Sequence, residues 1–276
     1  MTEDETERII SATNDMIFYQ NIVATFILVG FIVLIRDRPA KPPSAVALKE
    51  PEAINFCENV KILLKNRDYL LTISINIMVD GVFVLFGVII DPYLEALGYT
   101  TTAASIVGGI VVLIGAFAAI MFSVWLDRHH RYLFGLRLLS FGSFVSLAAA
   151  YAIFPLTKLY LVCGLGILVG IFLVPMYPMS ASYIAESTFP LPESVSLGLM
   201  NLCEQLLLFP LGALVSFFFS DGMPFSEYDR TLICNGLFVF MLLIACVCTL
   251  FVRERLERTN FSQSHDLIKL KQSETE

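Results

Sequence analysis

Charged side chains are scarce in this sequence. Asp, Glu, Lys and Arg make up 16% of its 276 residues, whereas about a quarter is usual for a soluble domain. Hydrophobic residues reach 57% and the mean hydropathy is +0.74. A water-soluble fold would leave too much of this apolar surface exposed, so the chain is predicted to have lipid as its solvent.

Several catalytic and targeting signals are also missing. The six cysteines form no Cys-x-x-Cys pair, so neither a metal site nor a disulfide framework is expected. The sequence contains no glycine-rich phosphate loop and no recognisable nucleophile–base pair. We therefore expect neither enzymatic activity nor a cofactor. The first fifteen residues, MTEDETERIISATND, are acidic. A cleavable signal peptide has a basic start, so none is expected.

Long apolar runs take the place of these signals. A helix rises about 1.5 Å per residue, so about 20 apolar residues cross the roughly 30 Å hydrocarbon core of a bilayer. The runs are continuous rather than alternating, which favours helices over strands. The predicted fold class is therefore an all-α polytopic membrane protein with seven spans. Those runs are 16–35, 69–90, 103–125, 133–154, 159–183, 195–219 and 231–252.

Basic residues cluster on one side of these spans. Fifteen of the 18 Lys and Arg residues lie after the first span, after the third span or after the last. Basic loops stay in the cytoplasm, so the N-terminus is predicted outside and the C-terminus inside. The predicted segments are an extracellular tail (1–15), a first span (16–35), a cytoplasmic loop (36–68), a six-helix bundle (69–252) and a cytoplasmic tail (253–276).

The loop 36–68 contains an amphipathic pattern. It begins with a proline-rich piece, and from Pro51 onwards its apolar residues follow helical spacing. This predicts a short helix on the inner membrane surface, with a solvated linker as the alternative. The residues of the apolar face are Phe56, Val60, Leu63 and Leu64.

An acid–base motif closes the third span. The stretch SVWLDRHHR contains Asp127, Arg128 and Arg131. A seven-helix receptor also shows Asp-Arg here, but the last span has no proline and the loop after the first span is long, which is unlike such receptors. A carboxylate at a helix end can pair with basic residues in one conformation and release them in another, which favours a gating role. Plain anchoring by positive charge is the alternative.

This motif carries a first resemblance. The stretch 123–131 resembles the GxxxDRxGRR loop of the major facilitator superfamily, with Ser123 and His130 in place of two glycines. The resemblance implies the helical bundle of that superfamily.

A second motif narrows the resemblance. The stretch ESTFPLPESVSLGLMNLCEQ, residues 186–205, resembles the E-x-T-[YF]-P, S-x-G-L-L-N and following Gln of the feline leukaemia virus subgroup C receptor-related transporters. The resemblance extends from Phe18 to Arg253 and implies the family's helices six to twelve, the C-terminal half plus one helix. Glu186, at the start of the motif, is a further gating candidate.

Polar residues inside the spans are candidate binding residues, because ionisable groups in hydrocarbon are costly unless they are paired or wet. Asp80 lies mid-way along the second span, and Phe83 follows one turn later. A carboxylate beside an aromatic ring suits an organic cation. A structural bond from Asp80 to a neighbouring helix is the alternative.

The fifth and sixth spans add four candidates. Tyr177 precedes a proline in the fifth span, while Asn201, Glu204 and Gln205 lie in the sixth. Gln205 matches a Gln that contributes to the central site of the resembled family, which favours it as a ligand. Glu204 either lines the same cavity or supports it from behind, and Asn201 is either a ligand or a helix-to-helix hydrogen bond.

The resemblance implies a facilitator-type carrier of choline, ethanolamine or haem that works by alternating access in a bilayer, with the plasma membrane expected. The acid at position 80 favours a small organic cation. Asp80 is not the family's usual residue, and Val84 replaces its tyrosine.

One half plus a helix supplies only half of the cage. The chain alone is therefore not expected to be transport-competent, and a second half-transporter or self-association would complete it. No nucleic-acid partner is expected. A seven-helix receptor or a non-transporting interaction protein is the alternative.

Overall fold

The computed structural model describes residues 3–34, 55–95, 98–153, 159–219, 224–261 and 264. The proline-rich piece, the start of the predicted amphipathic helix at Pro51 and the tail beyond residue 264 lie outside these ranges. The chain divides into two units, residues 1–49 and 50–276.

The described part of the chain is helical and contains no strand. The first unit contains α1, Glu3–Leu34. The helices of the second unit are α2 (Phe56–Lys65), α3 (Arg67–Glu95), α4 (Thr101–His129), α5 (Tyr132–Ile153), α6 (Leu159–Leu173), α7 (Met176–Ser187), α8 (Glu193–Phe218) and α9 (Glu227–Phe251).

Seven stretches of the described chain are long and apolar enough to cross a membrane. This confirms the predicted all-α polytopic fold, with α6 and α7 together forming the fifth span. The seven stretches are Ile10–Leu34, Arg67–Glu95, Thr101–His129, Tyr132–Ala152, Tyr160–Ser187, Glu193–Phe218 and Tyr228–Phe251.

Several helices run beyond the apolar runs that predicted them. The helix α4 continues through Asp127 to His129, because neither charge nor imidazole interrupts helical hydrogen bonding. It ends where His130 adopts a left-handed conformation, with φ 50°. This is the position at which helices commonly place glycine, and it is also where the resembled loop has one.

Within the second unit, α3 is the central helix. It packs against α4, α7, α8 and α9, and its buried side chains form much of the main hydrophobic core. Large apolar side chains remain exposed on the outer faces of other helices, including Leu113, Phe117 and Phe209. Exposed apolar side chains of this kind are suited to lipid rather than water.

The fifth span is broken, and it lies very close to α4. Two turn residues ending at Pro175 separate α6 from α7, because proline lacks the amide proton that would continue the helix. On α6, a Cβ added to Gly170 would lie 2.5 Å from the carbonyl oxygen of Val111. Only glycine permits α4 and α6 to approach this closely.

The short helix α2 joins the bundle from its side. Leu63 is fully buried against α3 and α8, whereas Phe56 and Leu64 are exposed. The predicted apolar face is therefore divided. Leu63 anchors α2 to the bundle, and the exposed residues remain available for the membrane interface.

Candidate substrate and gating sites

The centre of the second unit contains two acidic side chains on neighbouring helices. Asp80 projects from α3 and Glu204 from α8, each near the middle of its span. Their carboxyl groups lie within hydrogen-bonding reach of each other. Glu204 is 3% exposed, and Asp80 is partly buried. The structure thus brings two of the sequence-predicted binding residues together.

Asn76 completes this carboxyl pair and was missed by the sequence analysis. It is fully buried on α3, and its Nδ2 donates a hydrogen bond to Oε2 of Glu204 at 3.1 Å. Its Oδ1 has no hydrogen-bond partner among the described residues. A useful signal was present, because Asn76 and Asp80 are four residues apart and therefore lie on one face of α3.

Gly81 allows the two helices to come together at this point. A Cβ added to Gly81 would lie 2.7 Å from Cδ2 of Leu208 on α8. Leu208 is one helical turn after Glu204, so this contact and the carboxyl pair share one face of α8. The small residue at position 81 therefore helps to determine the separation of Asp80 and Glu204.

The carboxyl pair has no basic partner in the described part of the chain, where neither Asp80 nor Glu204 forms a salt bridge. The site therefore presents two acidic side chains together with the unpartnered Oδ1 of Asn76, and their oxygens can accept hydrogen bonds. This chemistry is suited to a cation.

Among the described residues, no hydrogen bond joins the other predicted binding residues to the pair. Tyr177, Asn201 and Gln205 are exposed on α7 and α8. The hydroxyl of Tyr177 donates to Oδ1 of Asn201 at 3.2 Å, so Asn201 makes the helix-to-helix hydrogen bond considered as its alternative. Phe83 is partly buried and packs against the main core.

The predicted gating residues lie at the ends of α4 and α7. Asp127, Arg128 and Arg131 are exposed, and none of them forms an ion pair with another described residue. Glu186 is buried, and its Oε1 accepts a 2.7 Å hydrogen bond from the backbone N–H of Thr259. Glu186 therefore holds the segment that follows α9 against α7.

Further bonds attach that segment to the helices of the bundle, and apart from its basic residues no sequence pattern predicts them. The guanidinium Nε of Arg255 lies 3.0 Å from Oδ2 of Asp68 at the start of α3. The backbone N–H of Arg253 donates to the other carboxylate oxygen at 3.4 Å. Arg258 pairs with Glu193, at the start of α8, at 2.8 Å. Residues 253–261 thus connect α3, α7 and α8.

A family comparison agrees with this architecture, in which membrane-spanning helices surround central polar residues. The family model of the Major Facilitator Superfamily matches residues 11–213. This chain belongs to the Major Facilitator Superfamily. The predicted superfamily is therefore confirmed, and the protein is a multi-pass integral membrane protein.

Curated relatives of this facilitator chain are transporters by name. The choline/ethanolamine transporter FLVCR2 of Homo sapiens is 25% identical over 92% of this chain and 48% of that protein. The choline/ethanolamine transporter FLVCR1 of Mus musculus is 22% identical over 90% of this chain and 44% of that protein. Solute carrier family 49 member A3 of Danio rerio is 26% identical over 61% and 35% respectively.

These relatives confirm the predicted resemblance to the feline leukaemia virus subgroup C receptor-related transporters. They support a transport role for this facilitator chain. The chain spans about half the length of the curated relatives that it matches.

Proposed function

We propose that this chain supplies the C-terminal substrate-binding half of a carrier for a small organic cation of the choline or ethanolamine type. The observation that carries the proposal is the proximity of Asp80 and Glu204 in mid-span, where neither forms a salt bridge with a described residue. The relatives named as choline/ethanolamine transporters support the same substrate class.

The chemistry of the pair suits such cations. A quaternary ammonium has no N–H to donate, so it is held by negative charge and by aromatic faces. A primary ammonium can also donate hydrogen bonds to the carboxylate oxygens and to Oδ1 of Asn76. Binding of either cation provides positive charge beside the two acidic side chains.

The same pair disfavours haem as the substrate. Haem has two propionate groups, and two uncompensated carboxyl groups repel added negative charge. The names of two of the relatives reported above, FLVCR2 and FLVCR1, refer to choline and ethanolamine. The organic cation is therefore the stronger of the two substrate classes anticipated from the sequence.

Alternating access supplies the mechanism of the proposal. Carriers of this superfamily hold substrate near the midplane between two halves that rock against each other. Asp80 and Glu204 would bind at the midplane, with Tyr177, Asn201 and Gln205 on the exposed surface that a second half-transporter or second copy would cover. Gating would take place at the basic ends of the spans, through Asp127, Arg128, Arg131 and Glu186.

Topology belongs to the proposal as well. The basic segments favour a cytoplasmic C-terminus and an N-terminus outside, and the plasma membrane is the proposed location. A cysteine is added at each terminus, and its accessibility to labelling in intact cells tests this orientation. Labelling of the C-terminus from outside would contradict it.

The substrate proposal is tested by binding to the purified full chain. Labelled choline is expected to bind, and its uncharged isostere 3,3-dimethylbutan-1-ol is expected to bind about tenfold more weakly or worse, because it lacks the charge. Asp80→Asn and Glu204→Gln should each weaken choline binding about tenfold. Asp91→Asn is the matched control, since Asp91 is an exposed aspartate on the same helix.

Two results would count against the proposal. Equal affinity for choline and its isostere would exclude charge recognition, and unchanged affinity in both Asp80→Asn and Glu204→Gln would exclude this pair as the site. Circular dichroism and size-exclusion profiles confirm that each variant is folded. Flux into proteoliposomes, with and without a co-expressed half-transporter, then separates a carrier from a protein that only binds.

A further inference from the structure

A second polar site lies far from the carboxyl pair, at the end of the spans where α2 meets α3. A cavity of about 300 Å³ opens there, a volume at the lower end of the range for small-molecule sites. Six residues line it, and four of them are basic. They are Lys65, Asn66, Arg67, Asp68, Arg253 and Arg255.

Most of the positive charge in this basic cavity is uncompensated. Arg255 is held by Asp68 at 3.0 Å. Lys65, Arg67 and Arg253 form no ion pair with any described residue, and all three side chains are exposed. Asp68 and Arg255 therefore provide a fixed wall, and three free cations remain for an anionic ligand.

Three separate elements bring these residues together. Lys65 ends α2, Arg67 begins α3, and Arg253 follows the end of α9. The backbone is anchored at each place. The side chain of Asn66 accepts hydrogen bonds from the amides of Asp68 and Tyr69, and Asp68 accepts from the amide of Arg253.

The cavity also lies at the level of the lipid headgroups. Arg67 is the first residue of one candidate span, and Arg253 follows the last residue of another by two positions. Phe56 and Leu64 of α2 are exposed nearby in sequence, as expected for a helix resting on the membrane surface. Anionic lipids present phosphate groups at this depth.

We propose that the basic cavity binds a phosphate group of an anionic ligand, with a phosphorylated phospholipid headgroup as its source. The guanidinium groups of Arg67 and Arg253 donate to phosphate oxygens as planar forks, and the ammonium of Lys65 adds a point charge. This site is separate from the proposed cation site on α3 and α8. A lipid bound there would contact residues of α2, of α3 and of the segment after α9, and it would therefore influence how these elements are positioned relative to one another.

The test uses the purified full chain in neutral detergent. It is titrated with dioctanoyl phosphatidylinositol bisphosphate, with inositol trisphosphate and with dioctanoyl phosphatidylcholine, and binding is followed by native mass spectrometry. Saturable binding of the first ligand is expected, with at least tenfold weaker binding of phosphatidylcholine. Tighter binding of the lipid than of inositol trisphosphate supports a membrane source, and equal binding supports a soluble phosphate compound at the same site.

The variants separate a built site from diffuse attraction to basic residues. Lys65→Gln, Arg67→Gln and Arg253→Gln should each weaken binding about fivefold or more. Lys61→Gln is the matched control, because Lys61 is an exposed lysine one turn earlier on α2 that does not line the cavity. It should change affinity less than about twofold.

Equal losses for Lys65→Gln and Lys61→Gln, or binding that does not saturate, would overturn the proposal. Lys65 and Lys61 are both exposed, so their replacement is not expected to impair folding, and thermal unfolding of each variant verifies this. Choline binding provides a separate readout, so failure of the phosphate site is distinguishable from failure of the proposed transport function.

Discussion

Two aspartates on α3 have opposite surroundings. Asp68 and Asp80 are twelve residues apart, or about 18 Å along the helix. Asp68 is buried, and it is met by the guanidinium of Arg255 and by the amide of Arg253. Asp80 is met by the carboxyl group of Glu204. Among the residues that the structure describes, Asp68 is therefore neutralised by an arginine, whereas Asp80 has no ion-pair partner.

This difference distinguishes a structural acid, Asp68, from Asp80, the acid that we propose binds substrate. A carboxylate paired with arginine at a helix end holds two segments together and needs no further partner. An acidic pair in mid-span carries a high cost unless something supplies positive charge. A cation bound beside the two carboxyl groups would supply that positive charge. The proposed function therefore rests on Asp80 and Glu204 rather than on Asp68.

The largest expected effect comes from placing a cation permanently in the pair. In Asp80→Lys, the ammonium lies beside Glu204 and acts as a tethered substrate. Choline affinity should fall about 100-fold or more, because the negative charge is already compensated. Equilibrium binding of labelled choline measures this. Asp91→Lys adds the same group elsewhere on α3 and should leave affinity nearly unchanged; retained binding in Asp80→Lys would remove the pair from the site.

The structural acid should behave in the reverse manner. Asp68→Asn removes the charge that holds Arg255 and weakens the hydrogen bond from Arg253. We expect the free energy of unfolding to fall by about 1–2 kcal/mol, since hydrogen bonds to charged groups are the stronger kind and Arg255 remains half solvated. Unfolding in mixed sodium dodecyl sulfate micelles measures it. Choline affinity should change less than about threefold, and a tenfold loss would end the distinction between the two acids.

Helix separation should matter at Gly81, where α3 contacts Leu208 of α8. Gly81→Val places methyl groups against Leu208, which should destabilise the protein by about 1–2 kcal/mol and weaken choline binding by forcing α3 away from α8. Gly87→Val is the matched control, because nothing lies within 4 Å of a Cβ added there. Both changes introduce the same β-branched residue into α3. Equal effects of the two would show that helix propensity, rather than the contact with Leu208, is responsible.

The sequence was sufficient for the spans and for one side of this comparison. Hydrophobic length predicts a membrane helix almost regardless of context, so the seven spans followed from composition and run length. Asp80 and Glu204 were visible for the same reason, as ionisable residues interrupting apolar runs.

The sequence could not show which residues meet. Contact between α3 and α8 depends on Gly81 and Leu208, which lie 127 positions apart. Asn76 belongs to the site only because Glu204 is opposite it. The bonds of Asp68 and Glu186 to residues 253–259 likewise depend on a return of the chain that no local pattern indicates.

The smallest effect is expected at the other ion pair of the segment after α9. Glu193 and Arg258 form a 2.8 Å bond, but the Glu193 side chain is 52% exposed, compared with 7% for Asp68. Solvent and salt screen such a pair, so Glu193→Gln should lower the free energy of unfolding by no more than about 0.5 kcal/mol. The effect should vanish near 0.5 M salt, where the screening length is only about 4 Å. A loss equal to that of Asp68→Asn would mean that connecting the segment to the bundle, rather than burial of the carboxylate, determines what each pair contributes.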